Sequence, residues 1–235
     1  METINLLRIN QMPIKEQLLL EEALLRADSS NWCLINTGVP EAIVMGISGK
    51  PSQLLNLELV KQDQVPLIKR FSGGGTVYVD PHTVFVTFIC NSDTFVQSRA
   101  IMEWSETIYK PFFAPLPFQL IENDYVLEGR KFGGNAQYIQ RGRWLHHTSF
   151  LWDYDMEKMD YLLLPERRPK YRQSRRHKDF LLPLRSYFPQ KEAFIERLSQ
   201  HFQTTLDVKE ALLDDVQHIL ERPHRKSTIN VSLES

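Results

Sequence analysis

From Pro13 to Ala27 the chain reads PIKEQLLLEEALLRA, with Ile14, Leu18 and Leu25 at helical spacing and Leu19 and Leu24 widening the stripe. This spacing predicts an amphipathic helix entered through Pro13, whose fixed φ suits a first turn. The pattern then shortens into apolar and β-branched runs: Trp32 to Asn36, Ala42 to Ile47, Leu67 to Phe71, Thr76 to Val79 and Thr83 to Cys90. Gly, Pro, Asn or Asp punctuates them, so they read as strands, and the short connections favour antiparallel pairing over helical crossovers. Helical spacing returns in SRAIMEWSETIYKPFF, where Ile101, Met102, Trp104, Ser105, Ile108 and Tyr109 make one face and Pro111 ends the helix. QLIENDYVLEGRKFGGNAQYIQ and RWLHHTSFLW are strand-like again, with a tight turn at Glu128 and Gly129 and a second connection at Arg141 and Gly142. Past Asp153, ERRPKYRQSRRHKDF gathers Arg167, Arg168, Lys170, Arg172, Arg175, Arg176 and Lys178 around few apolar residues. A helix pair closes the chain, with Phe194, Ile195, Leu198 and Phe202 on one stripe and Leu212, Val216 and Ile219 on the next. The expected fold class is α+β, a mostly antiparallel or mixed sheet flanked by helices.

Composition limits the number of cores. With 235 residues, 42% of them hydrophobic, the chain has material for one substantial core and no second domain of ordinary size. Lys and Arg total 28 against 29 Asp and Glu, a formal charge of -1, so nothing global argues for a nucleic-acid or membrane partner. Cys33 and Cys90 lie inside apolar strand-like runs, without zinc-knuckle or disulfide spacing, which fits a reducing compartment. METINLLRIN has neither a secretory nor a transit-peptide pattern, and no run approaches the roughly 18 apolar residues of a membrane span. The expectation is a soluble cytoplasmic protein, with a processed organellar form left open.

Two glycine-rich stretches carry the candidate chemistry. In KRFSGGGTVYVD, Gly73, Gly74 and Gly75 stand between two strands. Such a run loses much backbone entropy on folding and contributes no packing, so it marks either a hairpin turn or a place where φ is positive or something approaches the main chain. In EGRKFGGNAQ, Lys131 precedes Phe132, Gly133 and Gly134. A lysine beside bare amides can serve a phosphate or a developing oxyanion, and it can equally be an ordinary surface turn. Neither stretch has the GxGxxG or GxxxxGK[ST] pattern, so the site would lie on an open sheet surface. His146 and His147 are adjacent on a strand and point to opposite faces, which excludes a chelating pair.

Taken together, RFSGGGTVYVD, the END of Glu122 to Asp124, GRKFGGNAQ and RWLHHTSFLWDYD resemble, in order and approximate spacing, the lipoate-protein ligase family of the biotin/lipoate A/B group. The resemblance runs from Trp32 to about Phe180. It implies a class II biotin/lipoate ligase-like catalytic domain over residues 1–183, with residues 184–235 as a helical extension packed on it. It implies activation of lipoate or octanoate by ATP and Mg²⁺ to an acyl-adenylate. The acyl group then passes to a lysine of a lipoyl domain, in a 2-oxoacid dehydrogenase complex or the glycine-cleavage H protein. An ATP-independent acyltransferase and a non-catalytic lipoate-binding protein are the alternatives. Carried onto this chain, Lys131 is catalytic and Arg70 holds the acid or phosphate. Ser72, Gly73, Gly74, Gly75, Thr76, Val77 and Tyr78 line the adenylate, with Gly133, Gly134 and Asn135 beside it. Asn123 and Asp124 lie near the nucleotide, with Asp124 as the Mg²⁺ ligand, and His147 lies near the substrate. Thr148 stands where relatives carry glycine, which separates His147 from the family pattern. Longer relatives carry a C-terminal accessory domain, so an accessory subunit is a candidate partner.

Overall fold

The computed structural model describes residues 2–94, 96–164 and 168–233. Arg167, counted in the basic run, lies outside them. The chain runs β1 (Ile4–Ile9), α1 (Ile14–Ala27), β2 (Asn31–Asn36), β3 (Ala42–Met45), α2 (Pro51–Leu54), α3 (Leu57–Gln62), β4 (Leu67–Lys69), β5 (Val77–Val79), β6 (Thr83–Asn91) and α4 (Ser98–Phe113). It continues through β7 (Gln119–Ile121), β8 (Asp124–Leu127), β9 (Arg130–Gln140), β10 (Arg143–Leu151), α5 (His177–Phe180), α6 (Lys191–Thr205), β11 (Val208–Ala211), α7 (Asp214–Leu220) and β12 (Ile229–Asn230).

An eight-stranded sheet has the order β11-β1-β2-β6-β10-β9-β8-β7, and a four-stranded one the order β12-β4-β3-β5. The long hairpins around β9 and β10 are antiparallel, as their short turns require, with Glu128, Gly129 and Gly142 at positive φ. Three pairs are parallel: β1 with β2 through α1, β1 with β11, and β3 with β4. The sheet is therefore mixed, and α1 is a helical crossover of the kind the short connections argued against. β1 was not anticipated, because INLLRI is buried at four of its six positions and shows no clean alternation.

Each face of the large sheet is covered. On one, Cys33, Phe88, Tyr125 and Phe150 pack with Tyr109, Phe112 and Phe113 of α4 and Phe194, Leu198 and Phe202 of α6. On the other, Leu34, Ile89 and Leu145 pack with Leu20, Leu24 and Leu25 of α1 and Val216 and Ile219 of α7. The small sheet docks on this second side, where Val44, Ile68 and Val79 meet Ile14 and Leu18 of α1 and Phe85 of β6.

Pro111 does not end α4, which continues to Phe113. A proline in the last turn removes one backbone hydrogen bond, while continuing the helix buries Phe112 and Phe113 in the aromatic core. The closing helix pair has β11 between its members, and Leu212 is 71% exposed, outside the buried stripe of Val216 and Ile219.

Candidate functional site

The glycine loop joining β4 to β5 hangs from the small sheet over the face of β9 and β10. Arg70, at its start, is 5% exposed and holds the loop together: Nη2 donates to Gly73 O and Gly75 O at 2.8 Å each, Nε to Gly73 O at 3.2 Å and Nη1 to Val44 O at 3.4 Å. Burial lowers its pKa to about 10, with Glu21 opposing the shift, so the guanidinium stays charged at neutral pH. Gly74 has φ +104°, and a Cβ there would come within 2.7 Å of Arg70 Nη2. At Gly73 and Gly75 a Cβ would meet nothing within 4 Å, so their backbone faces open space.

Beneath the loop lie two small cavities sharing a wall of Thr76, Val77, Lys131, Gly134 and Ser149. The first, about 80 Å³, is bounded by Ile14, Leu18, Val44, Phe85 and Ala136, with Arg70, Gly75, Asn135 and His147 among them. The second, about 90 Å³, is bounded by Tyr78, Leu151, Met159, Leu162, Phe180 and Leu181, with Arg172 and His177. Strand alternation supplies their floor. His147, Ser149 and Leu151 follow one another at period two on β10, and Lys131 and Gly134 come from β9 across from it.

Lys131 Nζ lies 2.7 Å from Asp124 Oδ1, and Tyr171 donates its hydroxyl to Asp124 Oδ2 at 2.9 Å. Both carboxylate oxygens therefore have protein partners. Burial, then the Asp124 charge, raises the Tyr171 pKa, which keeps the phenol a donor. Among the described residues no group of three or more His, Cys, Asp or Glu side chains could hold a metal ion. Asp124, the residue expected to meet Mg²⁺, has both oxygens engaged by Lys131 and Tyr171.

His147 Nδ1 faces the buried Glu21 carboxylate of α1 at 3.0 and 3.1 Å, and Thr87 and Gln17 each donate to Glu21 Oε1 at 2.7 Å. His147 itself lines the first cavity. His146, on the opposite face, contacts Tyr125 OH at 3.0 Å and Gln137 at 3.2 Å, and burial holds its pKa down at about 3. Of the other residues singled out by sequence, Ser72 is buried and accepts the Ile47 N–H, and Asn123 is exposed, its carbonyl accepting from Asn135 at 3.0 Å. Gly133 faces the core, where a Cβ would run into the Tyr125 ring at 2.9 Å.

Some of the site's surroundings were not anticipated. Glu21, Gln17 and Thr87 carry no motif, and they hold His147 from behind the cavity wall. Ser149 was available from strand alternation, two positions beyond His147. The basic run divides: Arg168, Arg176 and Lys178 are exposed, while Arg172 is buried and Arg175 donates to Gly129 O at 2.8 Å. Lys170 N donates to Glu122 at 2.6 Å and Leu182 N to Lys131 O at 2.8 Å, so residues 168–182 are fastened across β8 and β9. Both thiols are buried, with Cys90 pushed up to about 12 and Cys33 well above its usual value, so neither is an available nucleophile. No helix among the described residues is long and apolar enough to cross a membrane.

Residues 13–203 match the family model described as lipoyl protein ligase A/B catalytic domain. A Plasmodium falciparum protein named inactive lipoate–protein ligase 2 is 27% identical over 268 residues, covering 86% of this chain and 69% of its own length. The chain spans 52% to 30% of the length of other curated relatives bearing lipoate-protein ligase names. A solved lipoate-protein ligase A bound with ATP superimposes with a TM-score of 0.77 at 16% identity, over 93% of this chain and 92% of that one. A structure from a Thermoplasma acidophilum system, described as a bi-partite lipoate protein ligase and its E2 lipoyl domain, gives 0.77 at 17% identity, over 93% and 90%. At such identities these neighbours establish the fold.

Proposed function

The chain belongs to the lipoyl protein ligase A/B catalytic-domain family, and on that premise we propose that it activates lipoate or octanoate with ATP and transfers the acyl group to a lipoyl-domain lysine. The observation that carries this reading is the position of Lys131 on the wall shared by two cavities, each with a second cation of its own, Arg70 in the first and Arg172 in the second. The first, with Ile14, Leu18, Val44 and Phe85, suits an acyl chain. The second, with Arg172 and Lys131, suits a nucleotide. An acid in one and a triphosphate in the other would meet at Lys131 Nζ.

In the first step a carboxylate oxygen bonds to the α-phosphorus, and the bond from that phosphorus to the β-phosphate bridging oxygen breaks, releasing pyrophosphate. In the second, the acceptor lysine's unprotonated amine attacks the acyl carbonyl, the bond from that carbon to the phosphate oxygen breaks, AMP departs with the electron pair and the surplus amine proton passes to solvent. Both steps gather negative charge between the cavities, where a fixed cation and backbone amides lower the barrier more than they stabilise the reactants. Orienting the two reactants removes a further entropic part of the barrier. Mg²⁺ would arrive on the nucleotide phosphates, with Asp124 as the chain's contribution. Candidate acceptors are the lipoyl domains of 2-oxoacid dehydrogenase complexes and the glycine-cleavage H protein, with an accessory subunit as a further partner and the cytoplasm as the compartment.

The test is acceptor mass after incubation with lipoate, ATP, Mg²⁺ and an unmodified lipoyl domain, each component omitted in turn. A lipoyl increment that requires ATP is the expected result. An increment that persists without ATP when an acyl-carrier thioester is supplied would replace the ligase by a transferase. A second reading, lipoate binding without turnover, is favoured by the pairing of Lys131 with Asp124. Binding of lipoate with no acceptor modification under any condition would establish it.

A further inference from the structure

Arg172 comes from the basic run, yet it is 5% exposed and lines the second cavity. Its guanidinium lies 4.6 Å from the Phe180 ring centre, and Nε donates to Arg175 O at 3.2 Å. Nη2 is equally buried and has no hydrogen-bond acceptor among the described residues. On the cavity's other wall, Thr76 Oγ1 is also buried without a partner. A buried donor with nothing to bind costs free energy, most of all on a charged group, so Arg172 Nη2 and Thr76 Oγ1 on one cavity of about 90 Å³ mark a place completed by a ligand.

The surrounding charge defines the ligand's sign. Lys131 and Arg172 are cations on this cavity, while the Asp124 carboxylate is already held by Lys131 and Tyr171. His177, also on the wall, is held down at about 4 by burial and then by Arg172, with Lys131 adding and Asp160 opposing, so it is a neutral imidazole at pH 7. Such a wall disfavours further positive charge and receives negative charge. A guanidinium presents parallel N–H groups that match phosphate oxygens, which an ammonium does not.

We propose that Arg172 and Thr76 form a polyphosphate subsite that takes the β- and γ-phosphates of a nucleoside triphosphate and retains them as pyrophosphate after the bond to the α-phosphorus breaks. The electron pair of that bond leaves on the pyrophosphate oxygen, and the Arg172 cation lies where this charge collects. The inference rests on the nucleotide reading of the second cavity. It goes beyond that reading by giving the basic run one polyphosphate-binding side chain and leaving Arg168, Arg176 and Lys178 with none.

The test is calorimetric titration of the whole protein with inorganic pyrophosphate, without acid or acceptor, alongside KM for ATP and for lipoate. Arg172→Gln is expected to weaken pyrophosphate binding at least tenfold and raise KM for ATP by a similar factor, leaving KM for lipoate unchanged. Arg172→Lys should recover part of the loss, and Thr76→Val, which replaces a hydroxyl without changing volume, should weaken pyrophosphate several-fold. Thermal unfolding identifies an Arg172→Gln protein that is not folded; Thr76→Val then decides alone. Unchanged pyrophosphate affinity in a folded Arg172→Gln protein, or in Thr76→Val, would overturn the subsite even if the chain proves to be an ATP-dependent ligase. Pyrophosphate binding that depends on Arg172, in a protein that never modifies an acceptor, would instead uphold the subsite and discard the ligase.

Discussion

At Gly74 φ is +104° and a Cβ would meet Arg70 Nη2 at 2.7 Å, while at Gly73 and Gly75 a Cβ would meet nothing within 4 Å. One glycine answers a conformational demand and two leave backbone bare, although all three look alike in sequence. Gly74→Val should therefore destabilise the fold by about 1–3 kcal/mol through a strained backbone and the displaced guanidinium. Gly75→Ala should shift stability by no more than about 0.5 kcal/mol yet weaken acyl-adenylate binding roughly tenfold, about 1.4 kcal/mol. Denaturant melts and adenylate titration separate the two, and normal adenylate binding by Gly75→Ala would return the loop to a plain turn. The same scale governs Lys131, whose position was readable from EGRKFGGNAQ while its pairing with Asp124 was not. Lys131→Ala should slow pyrophosphate formation roughly a hundredfold or more, the loss of about 3–4 kcal/mol of barrier stabilisation. It also leaves the Asp124 side chain, 7% exposed, with Tyr171 but no cation, for a stability loss of about 1–3 kcal/mol. Adding Asp124→Asn should recover stability without recovering the rate. Near-normal pyrophosphate release by Lys131→Ala would remove Lys131 from the chemistry.

At the scale of the element, β10 divides two neighbouring histidines between unlike surroundings. The strand period alone places His146 and His147 on opposite faces, and that much was legible. What each face contains was not, because it depends on α1 crossing behind β2 and on α4 packing in front. Parallel pairing of β1 with β11, Ile4 opposite Val208, joins segments far apart in sequence, which no local pattern encodes. Glu21 escaped notice for a related reason: a carboxylate within a leucine stripe is read as a helix's wet face until a strand supplies Thr87 and His147 to receive it. The His146 environment gives a pH prediction. Its folded pKa is about 3, whereas an unfolded histidine titrates near 6.5. Above about 6.5 both states are neutral and the site adds no pH dependence. Between there and about 3 the unfolded chain binds a proton that the folded one refuses, so stability falls with pH, by up to about 1.4 kcal/mol per pH unit for one site. His177, held at about 4, acts in the same direction. His146→Asn keeps a neutral hydrogen-bonding side chain and should flatten the urea-derived stability profile by one proton's slope between about pH 4.5 and 6.5. An unchanged slope would mean that the folded ring takes up the proton.

Across the whole molecule, the end of the chain returns to its beginning and to the site. Glu22, fully buried on α1, accepts from Ser227 N at 3.0 and 2.9 Å and from Thr228 N at 3.1 Å, while Arg26 Nε lies 3.1 Å from its carboxylate. Immediately afterwards β12 pairs with β4, Ile229 opposite Lys69 and Asn230 opposite Ile68. Lys69 precedes Arg70, so the tail borders the strand from which the glycine loop hangs. The arrangement joins the large sheet's helical layer to the small sheet that carries half of the site. Without it, β4 would become an edge strand, with unpaired backbone groups next to Arg70. Glu22→Gln keeps the shape and weakens the charge-assisted bonds to the two amides, for an expected loss of about 1.5–3 kcal/mol. Removing residues 224–235 should lower stability at least as much and also weaken adenylate binding, because β4 then frays beside Arg70. Denaturant melts, adenylate titration and hydrogen exchange at Ile68 and Lys69 read these effects separately. Loss of stability with unchanged exchange at those two amides and unchanged adenylate affinity would confine the tail to packing and detach it from the site.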